Sequence, residues 1–313
     1  MIRRVLYLMA CGLALWPTAT WAGAYDLDLT PLGRQTSGGG ISQENGAFRS
    51  LSSELGQVMA PKPMDPADSL GLSGFALSAD FSLNTIKADR SYWVDTTRGE
   101  AENVAPTLQV MGRKGLYPGL EVGGGATHLF DSRMWALAGY GKIAFHEGFH
   151  HLPIPAIAIR VTGSRLLGAK DFNMTTAAPA ITVSHLFGLG KSFSLTPYIG
   201  YEALLVFSRS SVLDATPHCD EFDEPTAPPA GVYNEECQGV DQSAPSEFVF
   251  RDGGAIVRHR PHLGLRMIFS VIRLGFEAMI VPPGSSTGSV DGTNVADDSG
   301  FQQSYTFSVG LDF

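Results

Sequence analysis

Apolar residues alternate with small or polar residues, at a period of two, in about ten short stretches of the chain. Such alternation predicts β-strands that have one apolar face and one polar face. In one stretch, Phe75, Leu77 and Phe81 are separated by alanine, serine and aspartate. The pattern predicts strands at 72–83, 104–113, 117–130, 133–146, 153–165, 173–187, 192–208, 254–270, 271–282 and 300–313.

These segments predict an all-β fold, a closed antiparallel transmembrane β-barrel of about ten strands. No apolar run after the first 24 residues is long enough for a membrane helix. Lipid offers no hydrogen bonds to backbone groups, so a sheet in lipid has to close on itself. Ten strands also satisfy the even number found in single-chain bacterial barrels.

The end of the chain narrows the class of barrel. Counting back from the last residue, apolar side chains occupy every second position: Phe313, Leu311, Val309, Phe307 and Tyr305. This tail resembles the C-terminal signature of bacterial outer-membrane β-barrels. The resemblance implies a location in the bacterial outer membrane. It also implies two partners, the lipid bilayer and the barrel-assembly machinery that reads the last strand.

Residues 1–24 are typical of a secretory signal peptide. Arg3 and Arg4 precede an apolar core that is too short to span a bilayer, and small residues follow it. Lipidation at Cys11 is an alternative. Removing this leader lowers the net charge from −9 to −11. An acidic exported protein is poorly suited to bind nucleic acid, so that partner is excluded.

Residues 25–71 precede the barrel, which is predicted to span 72–313. Phe48, Leu51, Leu55 and Met59 recur at helical spacing and predict a short amphipathic helix. The pattern leaves open whether this helix plugs the barrel or docks in the periplasm under its rim. Both chain ends are expected to face the periplasm. This orientation makes 84–103, 209–252 and 283–299 long extracellular loops.

Strand alternation directs a set of ionisable side chains into the lumen. These lumen-lining candidates are Asp80, Glu121, Lys142, Arg160, Glu202, Arg258, Arg260, His262, Arg266, Arg273 and Glu277. One interpretation is an electropositive pore wall that favours anions. The other is a network of ion pairs in which Glu202 and Glu277 neutralise the arginines. A narrow ten-stranded barrel favours the network.

The stretch HEGFHH at 146–151 matches the HExxH zinc pattern, which needs a helix to bring both histidines to one metal. Gly148, Pro153 and Pro155 disfavour a helix there. We therefore predict no metal site, no cofactor, no catalytic residue and no enzymatic activity. A polar periplasmic turn is the preferred interpretation.

Cys219 and Cys237 lie in the longest predicted loop, and they are the only cysteines outside the leader. In an exported chain such a pair predicts a disulfide. The closed loop would either recognise a partner or resist proteolysis. The loop is also acidic, and a solvated charge run is a better interpretation than a calcium site.

The stretches TGSRLLGAKDFNMTT and LTPYIGYEALLV resemble uncharacterised outer-membrane barrels of delta-proteobacterial type. A more distant resemblance links the chain to long-chain fatty-acid transport channels, which place a hatch segment before the first strand and have more strands. Together these features predict a porin-like barrel that passes or binds a small solute. The alternative is a structural or adhesive barrel that presents the disulfide-closed loop.

Overall fold

Ten strands form one closed antiparallel barrel in the computed structural model, which describes residues 23–36, 40–146, 154–189, 193–215 and 246–313. Each strand pairs with its neighbours in sequence, and the last pairs with the first. The strands are β1 (Phe75–Thr85), β2 (Val104–Tyr117), β3 (Leu120–Leu129), β4 (Trp135–His146), β5 (Ala156–Leu167), β6 (Phe172–Ser184), β7 (Phe193–Ser210), β8 (Ile256–Phe269), β9 (Ile272–Val281) and β10 (Gln302–Asp312). The predicted all-β, closed antiparallel barrel is confirmed.

Every predicted strand overlaps an observed one, and the largest difference is at β2. This strand continues to Tyr117, and β3 starts at Leu120 after a tight turn. Gly119 has a φ of 78°, a conformation that glycine adopts without strain. A short strand, Phe187–Leu189, adds to the start of β7.

The outer wall of the barrel is apolar, as lipid requires. Along β5 each position alternates between buried and exposed from Ala156 to Leu167. The outward side chains include Val161 and, on β7, Ile199, which are 53% and 62% exposed. A charge at such a position would cost roughly 2–4 kcal/mol at the bilayer midplane. Within the described residues, no helix is both long enough and apolar enough to cross a bilayer.

The two ends of the barrel differ in the length of their connections. At one end, here called the loop end, long segments join β1 to β2, β7 to β8 and β9 to β10. At the other, the turn end, residues 118–119 and 270–271 form tight turns, and Phe313 ends the chain. We assign the loop end to the cell exterior, in line with the loop pattern of membrane barrels.

The N-terminal segment threads through the barrel from the loop end to the turn end. A 3-10 turn (Thr30–Leu32) and a hairpin (Gly33–Gln35 with Ile41–Gln43) come first. Helix α1 (Asn45–Met59) then descends inside the barrel, and residues 60–69 continue to the turn end. In the described residues this segment lies inside the barrel, as the plug interpretation expects, and not under the periplasmic rim.

Tyr25 lies at the loop end, opposite to Phe313. Its backbone N–H donates to Asp131 O at 3.2 Å, and its hydroxyl donates to Val104 O at 2.7 Å. The expectation that both ends of the chain face the same side is wrong for the described N-terminal residues. Spacing along the sequence does not reveal this, because a chain that enters the lumen can start at either end.

This threading gives a prediction about accessibility on intact cells. In a background of Cys219→Ser and Cys237→Ser, Ser42→Cys should react with a membrane-impermeant maleimide, because the hairpin is exposed at the loop end. The matched variant Ser73→Cys is exposed at the turn end and should react only after lysis. The reverse order of labelling would contradict the threaded topology.

The lumen has an apolar layer near the loop end and an ionic layer toward the turn end. In the apolar layer Phe48 of α1 stacks on Phe250 with ring centroids 5.2 Å apart, and it meets the edge of Phe172 at 5.6 Å. Helix α2 (Ser91–Thr97) covers this layer and buries Trp93 completely. The polar face of α1 is buried as well, since it contacts polar wall residues.

Candidate functional site

Residues Pro61–Ser69, here called the strap, run through the ionic layer of the lumen. Prolines at 61, 63 and 66 keep the strap from forming a helix, because proline fixes φ and disfavours a helical residue before it. The strap forms no regular secondary structure, so its backbone groups need partners on the wall. Arginines donate to three of its carbonyls: Arg260 to Pro61 at 3.1 Å, Arg160 to Pro63 at 2.8 Å, and Arg273 to Met64.

The wall also accepts hydrogen bonds from the strap backbone. These bonds join Lys62 N to Gln109 Oε1, Met64 N to Glu277 Oε2 and Ala67 N to Ser184 Oγ, each at 3.0 Å. The buried Lys62 ammonium turns back and donates to the carbonyl of Gln57, at 2.7 Å, near the end of α1. The strap is thus fixed at several points of the wall.

Asp65 is the centre of the ionic layer. Its carboxylate contacts four buried cations that come from β2, β4, β8 and β9. They are Arg113 at 3.2 Å, Arg273 at 3.3 Å, Arg266 at 3.7 Å and Lys142. One plug carboxylate therefore neutralises charges from four strands of the wall.

Glu202 forms a second ionic centre on the wall. It pairs with Arg260 at 3.0 Å and with Arg160 at 3.4 Å, as the network interpretation expects. Glu277 behaves differently, because it accepts from Met64 N and, at 2.9 Å, from the Tyr198 hydroxyl. The predicted pairing of Glu277 with arginines is wrong for the described residues.

The structure places all eleven predicted lumen-lining side chains inside the barrel and buries each of them. Asp80 accepts from Ser308 at 2.5 Å and from Gln109 at 3.0 Å. Glu121 pairs with Lys142 at 3.2 Å. Arg258 donates to Ser53 of α1 at 2.7 Å, and the ring of His262 packs near Tyr198.

The buried charges inside the barrel are close to balance. Among the described residues, nine cations and seven carboxylates are buried, and the partly buried Asp68 and Asp312 also contact buried arginines. An interior of this kind carries little excess charge. It does not fit a strongly electropositive pore wall.

Several interior residues were not predicted from the sequence. Arg113 was missed because the predicted strand ended at that residue, although its position in the alternation directs it inward. Asp65 and Glu54 were missed because they belong to the plug, and a plug has no period that reveals its contacts. The proline spacing around Asp65 was the one available signal of an extended buried segment.

A pocket of about 460 Å³ lies at the rim of the loop end. Its walls carry both signs of charge, including the exposed pairs Arg98–Asp28 at 3.5 Å and Arg133–Asp26 at 3.6 Å. Tyr25 lies nearby, and burial, with the charge of Glu102, raises its pKa to about 12. The pocket suits a small polar ligand rather than an apolar one.

The two remaining motifs fall largely outside the described residues. His146 is the last residue of β4 and not part of a helix, while Glu147 and His150 lie beyond the described part of the chain. Cys219 and Cys237 also lie outside it, so their pairing stays a prediction. Among described residues, no three histidine, cysteine or acidic side chains are placed to hold a metal.

The predicted assembly signal lies on the lipid-facing side of β10. Phe313, Leu311 and Val309 are exposed there. The backbone of Phe313 also pairs with that of Phe75, at 2.8 and 3.0 Å, where the barrel closes. Recognition of this tail by the barrel-assembly machinery stays a prediction.

A closed barrel with an apolar outer wall and an ionic interior defines the class of this protein: it is a transmembrane β-barrel of the bacterial outer membrane. Its surroundings are therefore a lipid bilayer. No protein-family model and no curated protein matches the chain.

Solved outer-membrane proteins share parts of the architecture. The protease OmpT from Escherichia coli is 8% identical over 77% of this chain and 96% of its own, with a TM-score of 0.36. The β domain of the Bordetella autotransporter BrkA is 10% identical over 76% and 99%, with a TM-score of 0.32. Ail of Yersinia pestis is 10% identical over 77% and 99%, with a TM-score of 0.26. None of these similarities transfers an activity to this chain.

Proposed function

We propose that the protein is a sealed outer-membrane barrel that acts at its loop end, where it binds a small solute or a partner. The observation that supports this proposal is the filled lumen. The side chains of α1 from Phe48 to Met59 are buried, and residues 60–67 of the following segment are buried as well. A lumen that is filled in both the apolar and the ionic layer suits a rigid membrane anchor better than a permanently open pore.

The binding surface in this proposal is the cap that the N-terminal segment and the loops build at the loop end. The rim pocket, with acidic and basic side chains on its walls, would take a small solute that carries both charges. This assignment keeps the predicted binding of a small solute. It also keeps part of the alternative prediction, in which the barrel presents a surface to the cell exterior. We assign no catalytic role to the HExxH match, because His146 ends a strand.

Passage of a solute is a second candidate function, and the polar contact between strap and wall favours it. If the strap moved, water could hydrate the polar surfaces of both the strap and the wall. Apolar surfaces would not be hydrated in this way. The resemblance to fatty-acid channels with an N-terminal hatch points the same way. The apolar layer around Phe48 opposes it, since that layer has no polar surface to offer to water.

Planar-bilayer recordings of the full-length protein separate the two functions. If the barrel is a sealed anchor, the wild type shows no conductance steps. Arg273→Gln, which removes the ion pair with Asp65 and the charged donor to Met64 O, is then silent as well, because the apolar layer still closes the lumen. Steady conductance in the wild type would overturn the sealed anchor. Conductance that appears only in Arg273→Gln would support gated passage.

A further inference from the structure

We propose that a groove on the outer wall binds the phosphate groups of a glycolipid in the surrounding leaflet. The groove lies on the lipid-facing side at the loop end of β5, β6 and β7, and its volume is about 710 Å³. Three arginines, Arg165, Arg209 and Arg251, line it together with Phe207 and Val212. Such a concentration of positive charge stands out on a wall that is otherwise apolar.

Arg165 is held in place for an anion. Its guanidinium donates to Thr175 Oγ1 at 2.8 Å and to Asn173 Oδ1 at 2.9 Å. Asn173 is the direct cross-strand partner of Arg209, so these bonds draw the Arg165 guanidinium toward Arg209. A guanidinium has five N–H donors, and the remaining ones are free to bind a ligand. Fixing the side chain in advance lowers the entropic cost of binding.

Arg209 and Arg251 face each other across an antiparallel bridge. Like charges directly opposite on a sheet destabilise it, so this pair calls for a counterion. In the described part of the chain, no carboxylate lies within 4 Å of Arg165 or Arg209, and Arg251 has only Asp291 at 3.9 Å.

Asp252, which also lines the groove, forms no ion pair with these arginines within 4 Å. Its two oxygens accept from backbone N–H groups instead, from Ser208 at 2.6 Å and Gly254 at 3.1 Å. Within the described residues, the three guanidiniums therefore outnumber the carboxylates beside them, Asp252 and Asp291, and such a cluster suits a group with more than one negative charge, such as a phosphate.

The depth of the groove points to a lipid rather than to a dissolved anion. Arg165 is eight residues beyond Ile157 on β5, which corresponds to roughly 20 Å along the membrane normal for a tilted strand. The apolar band of such barrels is about 25 Å tall, so Arg165 lies near its edge, at headgroup level. Below it Val161 is exposed toward lipid and offers a surface for acyl chains.

The test uses full-length protein in detergent and native mass spectrometry. The probes are a bisphosphorylated, acylated glucosamine disaccharide, the same lipid after removal of its phosphates, and inorganic phosphate. The variant Arg165→Gln/Arg209→Gln/Arg251→Gln should bind the phosphorylated lipid at least roughly tenfold more weakly than the wild type, since it loses its charge-assisted hydrogen bonds. Lys114→Gln is the control, because Lys114 is an exposed cation near the turn end.

Three results would decide the proposal. It is supported if the wild type and Lys114→Gln retain the phosphorylated lipid, while the dephosphorylated lipid is not retained. Equal retention by the triple variant would overturn it. Displacement of the lipid by millimolar inorganic phosphate would also overturn it, since the groove would then be a site for a soluble anion. If the triple variant does not fold, as judged by heat-modifiable mobility in gels, the single variant Arg209→Gln takes its place.

Discussion

Replacing Asp65 with alanine should lower the free energy of unfolding by roughly 3–5 kcal/mol, the cost of leaving buried charges without their partner. Asp65 contacts four cations of the wall whose side chains are at most 5% exposed. Three further carboxylates near this site already pair with these cations: Glu121 with Lys142, Asp68 with Arg266 and Asp312 with Arg273. They cannot compensate fully. The midpoint of urea unfolding in liposomes measures the loss.

Asp68→Ala is the matched control for this prediction. Asp68 belongs to the same strap and pairs with Arg266, but its side chain is 21% exposed. Its loss should cost less than the loss of Asp65, because Arg266 then keeps Asp65 as a partner at 3.7 Å and no other cation loses an ion pair. Asp65→Asn separates charge from shape, since it keeps the size of the side chain and removes its charge. An unchanged unfolding midpoint in Asp65→Ala would show that Asp65 does not hold the ionic layer together.

Glu54→Ala should also destabilise the protein strongly and should release helix α2 from the cap. The Glu54 carboxylate is completely buried, and each of its oxygens accepts two hydrogen bonds. The donors are the Tyr92 hydroxyl at 2.9 Å, Trp93 Nε1 at 2.8 Å, Gly300 N at 2.8 Å and Lys87 N at 3.1 Å. Each buried donor left without a partner costs about 1–3 kcal/mol, so we expect a total loss of at least about 3 kcal/mol.

Two measurements test this second prediction. Limited proteolysis should cleave the segment 86–103 faster in Glu54→Ala, and the fluorescence of Trp93 should shift toward that of a hydrated indole. Glu44→Ala is the control, because Glu44 precedes α1, is exposed and makes no side-chain cap. If both variants are cleaved at the same rate as the wild type, Glu54 does not anchor the cap.

The barrel was predictable because strands in lipid follow one simple rule. Alternation identified all ten strands, and it directed Arg258, Arg260 and Arg266 of β8 to the interior. The rule holds because only one face of each strand meets lipid, and a one-residue shift would move the charges of the strand into the membrane.

The contents of the lumen were harder to predict. A segment that is surrounded by protein on all sides shows no regular alternation of apolar and polar residues in its sequence. The spacing of Phe48, Leu51 and Leu55 identified the helix, but an amphipathic pattern does not fix where a helix docks. In the structure the polar face of this helix contacts a polar wall. Partners such as Asp65 and Lys142 are 77 residues apart, and only the assembled barrel brings them together.

The threaded strap also constrains how the molecule is assembled. A ring of strands that closed around an empty centre would hold the seven cations and four carboxylates that are buried on the described strands, without the carboxylate of Asp65 to offset the excess of positive charge. We therefore expect the N-terminal segment to enter the lumen at the same time as β10 pairs with β1. Biogenesis of this protein then couples the two events, with the ring locking around the leading segment as that segment enters.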